Sequence, residues 1–265
     1  MPAINLAQLK TQAARLSEKF SEPEAFVHAL SEFLDFYTNR TIRATQIAQR
    51  LSLPTYHTPA PVLRQIQAEL VPLARTRSIE AIALVNALWK AGSLEARLLA
   101  AYLLGSVPPE QAIPALSRLP DWLAQSTDKE IRTALLTDAF SRLRQENPEA
   151  LFMLLEDWLK SPRNSLQAWG LRALIPLLTD PQFENLPAVF RILKPAIRAA
   201  GPVTQLELQA CLSTLEQISI TETLSFLREI IAEDPPPLML RTLHRILAGL
   251  SPEMQLGMKE MLRQL

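Results

Sequence analysis

The chain is poor in glycine, cysteine and histidine, and each shortage excludes a class of chemistry. It holds 6 glycines in 265 residues, none arranged as GxxxxGK or GxGxxG, so the common phosphate-binding loops are absent. The single cysteine, Cys211, excludes an internal disulfide and a thiolate zinc site, and its apolar neighbours predict a buried thiol. His28, His57 and His244 lack the spacing of a metal site. We therefore expect no metal and no cofactor.

The chain also lacks a long hydrophobic run. The first 15 residues contain no apolar stretch long enough for a signal peptide. No later stretch reaches the roughly 18 uncharged apolar residues that are needed to span a bilayer. We expect a soluble, cytoplasmic protein without a membrane partner.

Net charge is missing as well, but the charges are unevenly distributed. The 27 basic and 27 acidic residues cancel, which does not favour a nucleic-acid partner. Residues 40–77, however, hold six basic residues and one acidic residue, a net +5, and residues 158–200 hold six and two, a net +4. Residues 207–234 hold one and six, a net −5. Such segregation can orient a polyanion on part of a surface, although solvated helix faces produce similar tallies.

Helical periodicity and proline are what the chain has in abundance. An amphipathic helix is predicted by the i, i+3, i+4, i+7, i+8 spacing of Leu151, Leu154, Leu155, Trp158 and Leu159. Many of the 21 prolines stand where a helix would begin, a position at which proline sacrifices no hydrogen bond. No alternating β-branched run competes with this pattern. The sequence therefore predicts an all-α protein of short helices joined by tight turns.

The middle of the chain repeats a two-helix unit. Each unit has a tryptophan near the end of its first helix, at Trp89, Trp122 and Trp158. Aligning the second helices at Leu94, Ile131 and Leu166 gives spacings of 37 and 35 residues. A unit of this length cannot bury its own apolar face, so neighbouring units must stack. We predict an α-solenoid of HEAT-like helical repeats forming a right-handed superhelix, rather than a globular bundle, with the three tryptophans in its core.

We expect one HEAT-like-repeat domain over residues 1–265, with N-terminal helices in 1–55, the repeat core in 56–200 and C-terminal capping helices in 201–265. In stacked helix pairs the second helices form an inner wall, so basic residues near their starts are candidates to line a groove. The candidates for nucleic-acid binding are Arg64, Arg97, Lys129, Arg132, Arg163, Trp169 and Arg172. Each basic residue alone is also explained as a solvated or ion-paired side chain, and Trp169 as a packed one.

Three segments resemble the HEAT-like-repeat DNA alkylation repair family. They are residues 56–66, with the Thr58-Pro59 opening before a helix, the Leu88-Trp89 turn, and residues 94–100, a helix that starts with Glu-x-Arg and continues in alanines and leucines. The resemblance implies a concave basic groove that holds duplex DNA by its phosphates. It also implies excision of cationic alkylated purines, in which an aromatic face and a carboxylate stabilise an oxocarbenium-like transition state.

The positions that the family uses for excision carry other residues in this chain. Lys129 and Thr133 fall where the aromatic residue and the aspartate are expected, and Ala168 falls where an arginine is expected. Asp128 and Arg172 could substitute only in a shifted register, so the catalytic residues are unknown. Three functions stay open: duplex DNA binding without base excision, a non-enzymatic scaffold that binds a protein partner, and a glycosylase with a nonstandard site.

Overall fold

The computed structural model describes residues 5–38, 53–181, 183–233 and 235–262. Within these ranges every regular element is helical, which confirms the all-α prediction. The chain forms two compact units, Met1–Asn147 and Pro148–Leu265, and the boundary between them lies inside the predicted 56–200 core. The right-handed superhelix and the single repeat domain stay predictions.

The elements follow one another without strands in the described residues. The first unit contains α1 (Leu6–Ser17), α2 (Pro23–Phe36), α3 (Ala60–Thr76), α4 (Ser78–Ala91), α5 (Leu94–Leu104), α6 (Pro109–Leu116), α7 (Leu119–Gln125), α8 (Lys129–Thr137), a 3-10 turn (Asp138–Phe140) and α9 (Ser141–Glu146). The second unit contains α10 (Pro148–Lys160), α11 (Asn164–Leu178), α12 (Leu186–Arg198), α13 (Gln205–Ile218), α14 (Ile220–Ala232), α15 (Pro237–Leu247) and α16 (Pro252–Leu262).

Proline marks several of these helix starts, as the sequence predicts. Pro23, Pro109 and Pro237 are the first residues of α2, α6 and α15. Four other prolines lie inside helices, where each removes one backbone hydrogen bond: Pro72, Pro114, Pro176 and Pro195. Proline is therefore a start signal for only some of the helices.

Tryptophans join consecutive helix pairs in the first unit. The rings of Trp89, in the last turn of α4, and Trp122, in α7, stack with centroids 4.4 Å apart and an angle of 11° between their planes. Both side chains are buried, and so is Trp158 in α10 of the second unit. The prediction that these three tryptophans belong to the core is confirmed.

In the first unit, α5 contacts both α3 and α8, and the end of α5 packs very closely against the residues that follow α8. A Cβ added at Gly105, the C-cap of α5, would lie 1.7 Å from the backbone oxygen of Asp138. The carbonyl of Gly105 accepts hydrogen bonds from the Ser141 hydroxyl, at 3.0 Å, and from the Arg142 amide, at 3.1 Å. This backbone contact joins the end of α5 to the residues that follow α8.

The helices of the second unit are joined by ion pairs as well as by apolar contacts. The predicted apolar face of α10 is buried at Leu151, Leu155, Trp158 and Leu159, while Leu154 is half-buried. Across its surface α12 is joined to α14 by ion pairs. Lys194 Nζ lies 2.9 Å from an oxygen of Glu229 and 2.7 Å from an oxygen of Glu233, and Arg198 lies 3.2 Å from Glu233. The last of these acidic residues follows α14 directly.

Candidate nucleic-acid interface

An open cleft of about 750 Å³ lies between α3, α5 and α8 of the first unit. Helix α3 contributes its first two turns, α5 contributes a single leucine, and α8 contributes its N-cap, one face and the residue that follows it. The lining residues are Ala60, Leu63, Arg64, Gln67, Leu98, Asp128, Lys129, Glu130, Thr133, Ala134, Thr137 and Asp138. Two of the predicted binding residues, Arg64 and Lys129, are thus brought to one cavity from helices far apart in sequence.

The charges that line the cleft are mixed. Arg64 and Lys129 are exposed cations, whereas Asp128, Glu130 and Asp138 contribute three carboxylates. The acidic residues lie at the two ends of α8, with Asp128 and Glu130 at its start and Asp138 at its close. An anion that enters this cleft therefore meets cations on α3 and on the first turn of α8, and carboxylates beside them.

Two of these carboxyl groups, Glu130 and Asp138, have pKa values above the ordinary value. Partial burial raises the pKa of Glu130, and the neighbouring charges of Asp128 and Glu95 raise it further. Burial also raises the pKa of Asp138, although a hydrogen bond from Thr137 and the charge of Arg144 oppose the shift. A nearby positive charge, or protonation, would therefore stabilise either group in the folded protein.

Lys129 and Thr133 lie one helical turn apart on α8 and both line the cleft. The Thr133 hydroxyl donates a hydrogen bond to the Lys129 carbonyl at 2.9 Å, so its oxygen is turned towards its own helix. Asp128 caps the helix, since one of its carboxylate oxygens accepts from the amides of Glu130 and Ile131 at 2.8 and 3.2 Å. The side chains at the positions where the family is expected to carry an aromatic residue and an aspartate are thus an ammonium group and a hydroxyl.

Arg97, on α5, is held in place by an aromatic platform. Its guanidinium carbon lies 4.6 Å from the ring centroid of Trp89, within the range of a cation–π contact. Its Nε is buried without a hydrogen-bond partner, and burial lowers the pKa of the group. Arg132, on α8, likewise has a buried Nε without a partner. Both side chains as a whole are half-buried, so part of each stays open to solvent.

Arg97 and Arg132 are not among the residues that line the cleft, and the other three predicted binding residues lie in the second unit. Arg163 is exposed just before α11, Arg172 is exposed within α11, and Trp169 is half-buried in the same helix. Ala168, at the position where an arginine was expected, precedes Trp169. The role of these three residues in binding stays a prediction.

Sequence reasoning missed the role of Glu95, the second residue of α5. Only 3% of this side chain is exposed, although it carries a carboxylate. Its Oε1 accepts hydrogen bonds from the Thr55 hydroxyl and from the amides of Tyr56 and Thr58, at 3.0, 2.9 and 3.3 Å. The glutamate was visible as part of the Glu-x-Arg helix start, but its partners lie about 40 residues earlier in the chain.

Other chemistry finds little support in the described residues. No group of three histidine, cysteine, aspartate or glutamate side chains among them is arranged to hold a metal ion. Cys211 is buried, as predicted, and donates a hydrogen bond from its sulfur to the Leu171 carbonyl. Burial raises the pKa of this thiol to about 12, so it is not a nucleophile at neutral pH. None of the described helices has the length and apolar character that crossing a membrane requires.

Comparison with known proteins bears on the family of the chain. Curated proteins and solved structures were both searched, and neither search returned a match. Residues 40–242, well over half of the chain, match the family model described as DNA alkylation repair enzyme. This match confirms the resemblance drawn from the Thr-Pro and Leu-Trp segments, and it indicates a function related to DNA repair. The chain belongs to the DNA alkylation repair enzyme family.

Proposed function

We propose that this protein binds duplex DNA through its phosphates at the cleft of the first unit, and that it does so without excising bases. The cations assigned to phosphate contact are Arg64 on α3 and Lys129 on α8, which line the cleft, together with Arg97 on α5 and Arg132 on α8, which lie outside its lining. Arg163 and Arg172, with Trp169 between them in sequence, are the further candidates in the second unit.

The observation that carries this proposal is the absence of ion pairs at these cations. Within the described residues, none of the four cations on α3, α5 and α8 lies within 4.0 Å of a carboxylate oxygen. A cation that is already paired gives up that partner when it binds phosphate, whereas an unpaired cation releases only water and counterions. The helices that carry the four residues contact one another in the order α3, α5, α8.

The side chain of Arg97 is restricted before any ligand binds. A free arginine loses much side-chain freedom when it binds an anion, and that loss opposes binding. The stack on Trp89 restricts the guanidinium before any ligand arrives. Trp89 is itself buried against Trp122, so the platform is part of the core.

Binding without excision is supported by the residues on α8. An electrostatic mechanism needs a carboxylate beside the sugar as positive charge develops there. At the corresponding positions the cleft presents Lys129 and the Thr133 hydroxyl, which donates to its own helix. Asp128 lies next to them, but one of its carboxylate oxygens is used as a helix cap, and the two other carboxyl groups of the cleft, Glu130 and Asp138, have raised pKa values.

The test is a titration of a fluorescently labelled duplex at several salt concentrations. Each phosphate contact contributes a slope of roughly 0.9 to the dependence of log affinity on log salt, or about fivefold in affinity near 0.15 M salt. The variant Arg64→Ala/Lys129→Ala is therefore expected to bind about 25-fold more weakly, with a slope lower by roughly 1.8. The matched control, Lys194→Ala/Arg198→Ala, removes the same charge from ion-paired residues and should bind like wild type. A wild-type protein that does not bind duplex DNA, or whose binding is insensitive to salt, contradicts the proposal.

The absence of excision is tested with duplex DNA that contains 7-methylguanine. We expect no released base above the buffer control from wild type or from Asp128→Asn. Release by the wild-type protein that Asp128→Asn abolishes would show instead a glycosylase with a nonstandard site.

A second candidate function, the binding of a protein partner, is favoured by the acidic side chains in the same cleft. Glu130 and Asp138 both have a raised pKa, so a lysine-rich or arginine-rich peptide segment would stabilise their charged forms. Binding of such a peptide that is unaffected by nuclease and lost in Glu130→Gln/Asp138→Asn would select this function over DNA binding.

A further inference from the structure

The loop that precedes α3 is folded around the buried carboxylate of Glu95. One oxygen of this side chain accepts from the Thr55 hydroxyl at 3.0 Å, from the Tyr56 amide at 2.9 Å and from the Thr58 amide at 3.3 Å. The backbone adds a fourth bond, since the amide of Leu94 donates to the carbonyl of Pro54 at 2.9 Å. The start of α5 thus holds four residues of the loop, Pro54, Thr55, Tyr56 and Thr58.

The backbone of the loop adopts an unfavourable conformation to make these contacts. His57, between the two amides that reach Glu95, has a φ of 52°, in the left-handed region that non-glycine residues seldom occupy. Amides that converge in this way form a concave anion-binding nest. Here the anion is supplied by the protein itself, and its three hydrogen bonds offset the strain at His57.

The loop leads directly into the wall of the cleft. Pro59 is the N-cap of α3, and the next turns of that helix supply Ala60, Leu63 and Arg64 to the lining. Because the loop is anchored one residue before the N-cap, the position of Glu95 determines where α3 begins. The same side chain is close enough to Glu130, on the opposite wall, to raise the pKa of that carboxyl.

We infer that Glu95 is a positioning residue of the DNA-binding cleft, which holds the loop from Thr55 to Thr58 so that α3 presents Arg64 to a phosphate. This role rests on the proposed function of the cleft. Glu95 does not touch DNA itself, and it acts through Arg64.

The equivalent residue of a later repeat anchors a turn in a similar way. Glu95 follows Leu94, and Gln167 follows Leu166, the residue aligned with Leu94 in the repeat. Gln167 is also buried, and its side-chain nitrogen donates to the Ser161 carbonyl at 2.8 Å. A buried polar side chain at this position ties a neighbouring turn to the helix start in both units.

The experiment is a double-mutant cycle on duplex affinity, combined with amide hydrogen exchange of the free protein. Glu95→Ala removes all three acceptor contacts and should weaken binding about fivefold near 0.15 M salt, as Arg64→Ala does, with a slope lower by roughly 0.9. The variant Glu95→Ala/Arg64→Ala should bind no more weakly than either single variant. With Lys129→Ala, on another helix, the losses should multiply instead, to about 25-fold.

Glu95→Gln is the conservative control, since an amide oxygen can accept from the same three donors. We expect it to bind DNA like wild type and to keep the Tyr56 and Thr58 amides protected, while both lose protection in Glu95→Ala. Thr55→Val leaves Glu95 unchanged but removes the hydroxyl that donates to it and that accepts from the His57 amide. It covers the case in which Glu95→Ala does not fold, and it should weaken binding in the same direction, without adding to Arg64→Ala.

Three outcomes would overturn the inference. The first is a folded Glu95→Ala that binds DNA as wild type does, and the second is a loss that adds in full to that of Arg64→Ala. The third is that the Tyr56 and Thr58 amides stay protected in Glu95→Ala. If wild type does not bind DNA at all, the proposed function fails, and hydrogen exchange alone then decides whether Glu95 anchors the loop.

Discussion

The α12–α14 pair of the second unit and the α3–α5–α8 group of the first unit use their cations differently. Lys194 and Arg198 on α12 are paired with Glu229 and Glu233. Among the described residues, no carboxylate oxygen lies within 4.0 Å of the four cations assigned on α3, α5 and α8. These helices are joined instead by apolar and backbone contacts such as the one at Gly105. The cations on α3, α5 and α8 are thus not ion-paired, whereas those on α12 join two helices.

This difference teaches how a charge tally along the sequence is to be interpreted. Residues 158–200 carry a net charge of +4 and residues 207–234 a net charge of −5. Some cations of the first segment form ion pairs with carboxylates of the second. A positive segment therefore does not by itself mark a binding surface, because an acidic segment can fold against it and pair with its cations. Substitutions in the two regions test this contrast, and the largest effect is expected at the packed backbone of the first unit.

Close backbone packing predicts that Gly105→Ala is the most damaging of these changes. Its Cβ would lie 1.7 Å from the Asp138 carbonyl oxygen, and backbone cannot move aside as a side chain can. We expect a loss of more than about 4 kcal/mol in the free energy of unfolding, measured with urea.

Gly170→Ala, in α11 of the second unit, is the matched control for Gly105→Ala. The atoms nearest to its Cβ would be side-chain atoms of Trp158 and Leu159, at 3.3 Å. Because alanine favours a helix by about 0.5–1 kcal/mol over glycine, this change should be close to neutral. Equal effects of the two substitutions would remove the contrast in packing.

The aromatic platform under Arg97 predicts a smaller effect on binding. A cation–π contact at a partly exposed site is worth about 0.5–1 kcal/mol, so Trp89→Leu should weaken duplex binding by about two- to fivefold. Trp158→Leu removes a comparable buried indole from the second unit and should leave affinity unchanged. Both are measured by the duplex titration, and equal losses would show that stability rather than Arg97 is responsible.

The raised pKa of Asp138 predicts that its charge destabilises the folded protein. The folded state binds the proton more tightly than the unfolded state, so stability falls as pH rises through the folded pKa. Asp138→Asn should therefore raise the urea midpoint at pH 7, and the gain should disappear below the ordinary carboxyl range, near pH 4. A gain of the same size at both pH values would assign the effect to something other than charge.

The ion-paired carboxylate of Glu233 is expected to stabilise the folded protein, unlike that of Asp138, and to give the smallest of these effects. The hydrogen bond from Lys194, together with the charges of Lys194 and Arg198, lowers its pKa. The stability it adds is present above the unfolded pKa and is lost as pH falls through the folded pKa. Glu233→Gln should slightly lower the urea midpoint at pH 7, with no change in strong acid or at about 1 M salt, where charges are screened. A loss that persists at high salt would contradict this assignment.

Much of the candidate site was visible in the sequence as residue types. Arg64 and Lys129 were proposed for binding and do line one cleft, and the departures at Lys129 and Thr133 were recognised from the family pattern. The acidic half of the cleft was not foreseen, because Asp138 lies at the end of α8, ten residues from Asp128, and its approach to α5 depends on the absence of a side chain at Gly105.

The sequence by itself determined the helices, the burial of the three tryptophans and the family, because periodicity and short motifs are local properties. Only the tertiary structure decided which cations are paired, that Trp89 stacks on Trp122, and that Glu95 holds the loop before α3. The Lys194–Glu229 pair, the Trp89–Trp122 stack and the Glu95–Thr55 hydrogen bond each join residues more than 30 positions apart. Local propensity says nothing about which of many possible distant partners a side chain meets, since that depends on how the helices pack.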